Sequence, residues 1–157
     1  MSRYDELCDS SEVALRNYYD HRDRVDSFLR KRFLPGLSRF LESPEGKLWT
    51  FDFSSPGMEQ QPLSKAMQPD EECYWRLGLG IRMERPSFFS EIGYLLRCRG
   101  IEKQFTVEVA DKSFIMISDA DLEACYAHIF WHIKHYNEQG LIETLRTDLP
   151  RKFGFLP

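Results

Sequence analysis

The chain has 157 residues, of which 42% are hydrophobic and 29% charged, and 21 basic against 25 acidic side chains leave a net charge of −4. That length fits a single domain spanning 1–157, and that composition excludes both an intrinsically disordered chain and a membrane-embedded one. The mild acidity supplies no global field for nucleic acid, so neither nucleic acid nor a membrane is an expected partner.

Cys8, Cys73, Cys98 and Cys125 fall at spacings of 65, 25 and 27, which match no zinc or redox motif. Reduced thiols in a cytoplasmic protein are the expectation. The opening MSRYDELCDSSE is polar and lacks an apolar signal region.

In chain order, DSSE at 9–12 has the form of a capping box, with Asp9 as cap and Glu12 three residues on. Leu15, Tyr18, Val25, Leu29 and Phe33 then recur at helical spacing. LPG at 34–36 is expected to break or sharply kink this helix, with a shorter helix from Leu37 to Leu41 after it. KLWTFDF switches to a period of two, placing Trp49, Phe51 and Phe53 on one side and Leu48, Thr50 and Asp52 on the other. A loop of 19 residues follows, long enough to predict a mobile or functional segment, with a helical turn at LSKAM.

Four more strands are predicted. CYWRLGLGIRME alternates Trp75, Leu77, Leu79, Ile81 and Met83 with polar or glycine positions. SEIGYLLRCR carries Ile92, Tyr94, Leu96 and Cys98 on its apolar side, with Gly100 in the turn after it. KQFTVEV and SFIMI are joined by ADK as a hairpin. Ser118 then caps a last helix, with Asp121 three residues on. The tail LPRKFGFLP is expected to be pinned to the core. The sum is α+β: an antiparallel meander of about five strands, with an N-terminal helix pair and a C-terminal helix packed on it. A helix-grip cup and a cystatin-like wrap both satisfy this order.

Three of the four histidines lie in AHIFWHIKHY. At 100° per residue, Leu122, Cys125, Tyr126, Ile129, Ile133 and Tyr136 form the buried arc, and His128, His132 and His135 form a stripe along its edge. The ordinary expectation is half-buried boundary histidines. The sharper one is a metal site, with His128 and His132 as a two-point clamp and His135 beside them, completed by Cys125, Asp121 or a strand carboxylate. HIFWH has Ile where HExxH needs its Glu.

The polar face of the sheet carries Arg76, Gly78, Gly80 and Arg82, and an in-register neighbour adds Gly93 and Arg97. Glycines inside strands imply a close approach by a helix, a ligand or a second subunit. The arginines could grip a carboxylate or phosphate there. Residues 16–39 hold seven basic and three acidic side chains, read as a solvated, ion-paired helix face. No nucleophile elbow, P-loop, dinucleotide fingerprint or calcium loop is present. The expected function is a cytoplasmic, non-enzymatic binding module that acts through a protein partner or small ligand and forms a homodimer. The alternatives are a metal-assisted hydrolase built on His128 and His132, and a cup for an anionic small molecule over the glycine and arginine face. The sequence specifies no cofactor.

Overall fold

The structure, a computed structural model, describes residues 1–101, 103–147 and 152–153, with backbone alone beyond Gln139. Helix α1 spans Arg3–Phe28, so it starts well before the predicted Asp9 cap. Its cap is Ser2: Asp5 N donates to Ser2 Oγ at 3.1 Å, and Ser2 N donates to Asp5 Oδ2 at 3.0 Å. SRYD and DSSE both have the capping pattern. The earlier one is used, and it leaves Asp5 and Glu6 in the first turn, where the helix dipole favours negative charge.

LPG does not end the helix. The chain passes through one π-helical turn, Leu29–Phe33, into α2, Leu34–Phe40. Pro35 thus falls in the first turn of α2, where a missing N–H costs least. Gly36 gives Tyr126 room to approach, and Tyr126 Oη donates to Phe33 O at 2.9 Å.

Strands β1 (Leu48–Phe51), β2 (Gln68–Pro69), β3 (Trp75–Arg85), β4 (Phe88–Ile101), β5 (Gln104–Val109) and β6 (Lys112–Met116) follow, with α3 (Leu63–Ala66) after β1. The spatial order β1-β3-β4-β5-β6 is an antiparallel meander, and β2 adds a short pairing to β3. Helix α4 spans Asp119–Thr147, and β7 (Lys152–Phe153) lies parallel to β4 at Gly93 and Tyr94. The rest of the predicted tail is outside the described residues. The architecture is α+β, as the periodicities require.

Local chemistry explains the joints. Ala110 and Asp111 turn β5 into β6 with φ of +49° and +62°, the left-handed pair of a type I′ hairpin. Asp121 Oδ2 accepts from Ser118 N at 2.9 Å and Ile117 N at 3.0 Å, capping α4 as predicted. Gly100 is not in a turn: it lies inside β4, opposite Phe105.

One face of the sheet forms the main core. Trp75, Leu79, Ile81, Tyr94 and Val107 pack with Val25, Leu29 and Phe33 from the N-terminal helices and with Ile129 from α4. Each of these is buried, which fits the alternation of the strands and the phase of α4. The first half of α1 does not join them: residues 1–20 are exposed throughout. Among the described residues no helix is long and apolar enough to cross a membrane.

Candidate binding groove

The three strand glycines do lie together. Gly80 pairs with Gly93, and Gly78 with Leu95, in the register expected of the polar face. They form no open floor, because the chain roofs them itself. Trp49 pairs with Gly80 and Phe51 with Gly78, and a methyl added to either glycine would overlap the ring above it. Over Gly93 lie Phe51 and the Met58 thioether. The 19-residue loop is therefore a pinned cover. Trp49 Nε1 donates to Met58 O at 2.8 Å, and Gln61 N donates to Thr50 O at 2.8 Å. A small second core results on this face, with Phe51 and Phe53 buried in it.

The arginines around this roof are engaged. Arg82 pairs with Glu91 on the neighbouring strand. Arg97 stands among three carboxylates, at 2.9 Å from Asp70, 3.0 Å from Glu108 and 3.3 Å from Glu72, with Tyr74 stacked 4.2 Å from its guanidinium. Burial raises the Asp70 pKa, but hydrogen bonds from Arg97 and the Tyr74 and Glu72 amides outweigh it and hold the carboxyl below its ordinary value. Arg76 is exposed at the edge of this cluster.

The histidine stripe lies where the helical phase put it, with His128 and His132 half-buried and His135 exposed. Two of its members hold the sheet to α4. His128 Nε2 is 3.1 Å from Ala110 O, so it clips the β5–β6 turn. His132 Nδ1 is 3.3 Å from Tyr94 Oη, a phenol that burial keeps protonated. The rings are 6.0 Å apart. Among the described residues no group of three or more His, Cys, Asp or Glu side chains is placed to hold one metal ion. Asp121 is engaged in the α4 cap, and burial pushes the Cys125 thiol up to about 12, which disfavours the thiolate a metal needs.

The fourth histidine, passed over in the sequence, has a comparable role. His21 receives the Gly100 N–H on Nε2 at 3.1 Å and faces Trp75 Nε1 at 3.3 Å through Nδ1. A neutral ring satisfies one of these donors and an imidazolium neither. Desolvation, then the charge of Arg24, lowers the His21 pKa; desolvation, then His128, lowers that of His132, with Asp111 opposing and His135 adding to it. Both folded pKa values lie below the 6.5 of a free imidazole, so the unfolded chain binds more protons. Stability is full above pH 6.5 and falls as the pH drops through the folded values. Urea midpoints are expected to decline from pH 7 to pH 5, with a shallower decline in His21→Gln. An unchanged slope in that variant would contradict the assignment.

An open, mainly apolar concavity lies elsewhere. It is a groove of about 490 Å³ between the end of α2, the outer half of β3 and the outer half of α4. Phe130, Ile133, Lys134, Asn137 and Glu138 form one wall at helical spacing. Leu41 and Pro44 form the opposite wall, with Ile81 and Met83 between. Arg82 N donates to Lys47 O at 2.9 Å and Lys47 pairs with Glu84, which ties the far wall to the sheet. Lys134 pairs with Glu138 and Arg82 with Glu91 along the rim, and Glu42 also lines it. Asn137 donates to the Met83 thioether at 3.3 Å, a weak acceptor that an oxygen could displace.

The sequence reading did not assemble this groove, because its walls come from three distant segments. Phe130 was the available signal: a bulky aromatic at 180° on the α4 wheel, outside the buried arc, and 40% exposed in the structure. No family model matches the chain, and no curated protein or solved structure matches it.

Proposed function

We propose that the protein is a non-enzymatic binding module whose seat is the groove between α2, β3 and α4. The observation that carries this reading is an open concavity of about 490 Å³ with a mainly apolar lining and balanced rim charges. Small-molecule sites fall in the range of roughly 300–1,000 Å³ and are apolar, with few polar groups that orient the ligand. The lining charges, Glu42, Glu84 and Glu138 against Lys47, Arg82 and Lys134, balance and give no net attraction for an anion or cation. The fitting ligand is a small, largely apolar molecule with one hydrogen-bonding oxygen, which Asn137 would meet in place of Met83. The hydrolase alternative has weaker support, since His128 and His132 each give a ring nitrogen to the fold. The anion cup has weaker support too, since Trp49, Phe51 and Met58 occupy its floor.

Nile red tests the reading. Saturable binding at one site per chain is expected, and Phe130→Asp is expected to weaken it at least tenfold. Phe130 is exposed enough that the fold tolerates the change, which circular dichroism would verify. Equal affinity in a folded Phe130→Asp variant would rule the groove out as the seat.

A further inference from the structure

β6 is an edge strand that the chain leaves open. On the β1 side of the sheet the loop after β1 supplies a cover: Thr50 O accepts from Gln61 N at 2.8 Å, and Thr50 Oγ1 donates to Gln61 O at 2.8 Å. The outer half of β4, which β5 does not reach, pairs with β7. β6 ends the sheet, and among the described residues no strand pairs with its outer side. Its sequence, KSFIM, holds no proline, its pairing with β5 has no bulge, and its one charge is Lys112 beside the turn. Ile115 is 52% exposed, and Ile117, just past the strand, 79%. An edge without such protections is a template for another strand.

The hairpin fixes which groups point outward. A two-residue turn, Ala110 and Asp111, makes Val109 and Lys112 a hydrogen-bonded pair. Bonding to β5 then alternates through Phe114 and Met116, so the N–H and C=O of Ser113, Ile115 and Ile117 point away from it. The Ile117 amide agrees with this phase, since it donates to Asp121 Oδ2 at 3.0 Å, off the sheet. Ser113 and Ile115 therefore form a slot two residues long, between the β5–β6 turn and the Asp121 cap. A partner strand that ran past Ile115 would meet an amide already taken. A second β6 has the matching length. Laid antiparallel with a twofold axis at Phe114, Ser113 of each copy faces Ile115 of the other, and each facing pair exchanges both N–H···O bonds. Lys112 then lies opposite Met116 and Asp111 opposite Ile117, so no like charges meet. Two copies laid parallel in register would set Lys112 against Lys112 and Asp111 against Asp111.

We infer that β6 is the contact of a homodimer, in which two β6 strands pair antiparallel about a twofold axis at Phe114 and join the two sheets into one. The two Ile115 side chains lie diagonally across the axis on the outer face, within reach of each other. The contact is isologous and uses both open edges, so it closes at two chains. β6 is separated from β3 by β4 and β5, so the α2–α4 groove stays open in the dimer. β1, an alternative contact in the sequence, has its aromatic face folded over its own glycines.

A contact this short is smaller than the standard interface of about 1,600 Å², so sedimentation equilibrium of the full chain is read at about 300 µM. Twice the chain mass of 18.6 kDa is expected there. Ile115→Lys is expected to give the mass of one chain with unchanged circular dichroism. Ile115 is exposed and gives β5 no hydrogen bond, and a lysine on an edge disfavours pairing. Amide hydrogen exchange locates the contact: the Ser113 amide is expected to exchange at least tenfold more slowly in the wild type than in Ile115→Lys. A monomeric wild type, an Ile115→Lys variant that stays dimeric, or equal exchange at Ser113 would overturn the contact. Orientation is read by crosslinking in a Cys8→Ser, Cys73→Ser background, which removes the exposed thiols. When Ser113→Cys and Ile115→Cys chains are mixed, the mixed disulfide is expected to form fastest, because those two positions face each other. Homodisulfides that form as fast as the mixed one would refute the antiparallel register.

Discussion

Phe51→Ala is expected to destabilise the fold by about 3–5 kcal/mol, the cost of emptying a buried phenyl site. Phe51 is 1% exposed, although it lies on the sheet face opposite the main core. Its ring fills the space that Gly78 leaves, so the two positions are coupled. In the native background Gly78→Ala is expected to cost about 1–3 kcal/mol, because the new methyl overlaps the ring. With Phe51→Ala in place the same glycine change becomes neutral or stabilising, since alanine in a strand is intrinsically about 0.5–1 kcal/mol better than glycine. Denaturant midpoints of the two single variants and the double variant measure the coupling. Additive effects would show that the aromatic roof is not what requires glycine there.

Arg97→Met is expected to cost about 2–4 kcal/mol, somewhat below the full cost of breaking a buried ion pair, because Arg97 is a fifth exposed. The change removes the guanidinium that Asp70, Glu72 and Glu108 share, while Arg99 remains 4.5 Å from the Tyr74 ring. The pH dependence identifies the cause. In the native protein the lowered Asp70 pKa gives stability that is present above its ordinary 3.8 and is lost as the pH falls through the folded value. In Arg97→Met the Asp70 carboxyl loses the Arg97 hydrogen bond and charge, two of the causes that hold its pKa down. The stability lost on substitution is therefore largest near pH 6 and shrinks as the pH falls towards 4 and below. A variant whose loss of stability were the same at both pH values would mean that Arg97 acts through packing on Tyr74.

The elements were legible where periodicity was strong. The alternation in β3 and β4 and the phase of α4 place Trp75, Tyr94 and Ile129 inward, and all three are buried. Register was legible too, since Gly80 opposite Gly93 follows from counting along the two strands. What covered those glycines was not, because the roof comes from β1 and a loop whose composition reads as mobile. Trp49, Phe51 and Met58 give that loop its anchor, and a single sequence does not show that an aromatic in one strand lies over a glycine in another. Of the break or kink expected at LPG, the break does not occur, for a related reason: a π-helical turn precedes Pro35, and a proline motif alone does not reveal one. The length of α1 was obscured by a second capping pattern. The groove needed tertiary structure, since Leu41, Met83 and Phe130 are far apart in sequence and meet only once α2, β3 and α4 are in place.

Amide chemical-shift mapping with octanamide, an apolar chain ending in a hydrogen-bonding oxygen, tests the groove most directly. The expected result is a saturable set of shifts confined to residues 41–47, 81–84 and 130–138, with the Asn137 side-chain amide among the largest. Shifts confined to residues 49–58 and Gly93, or none up to the solubility limit of the probe, would contradict the account.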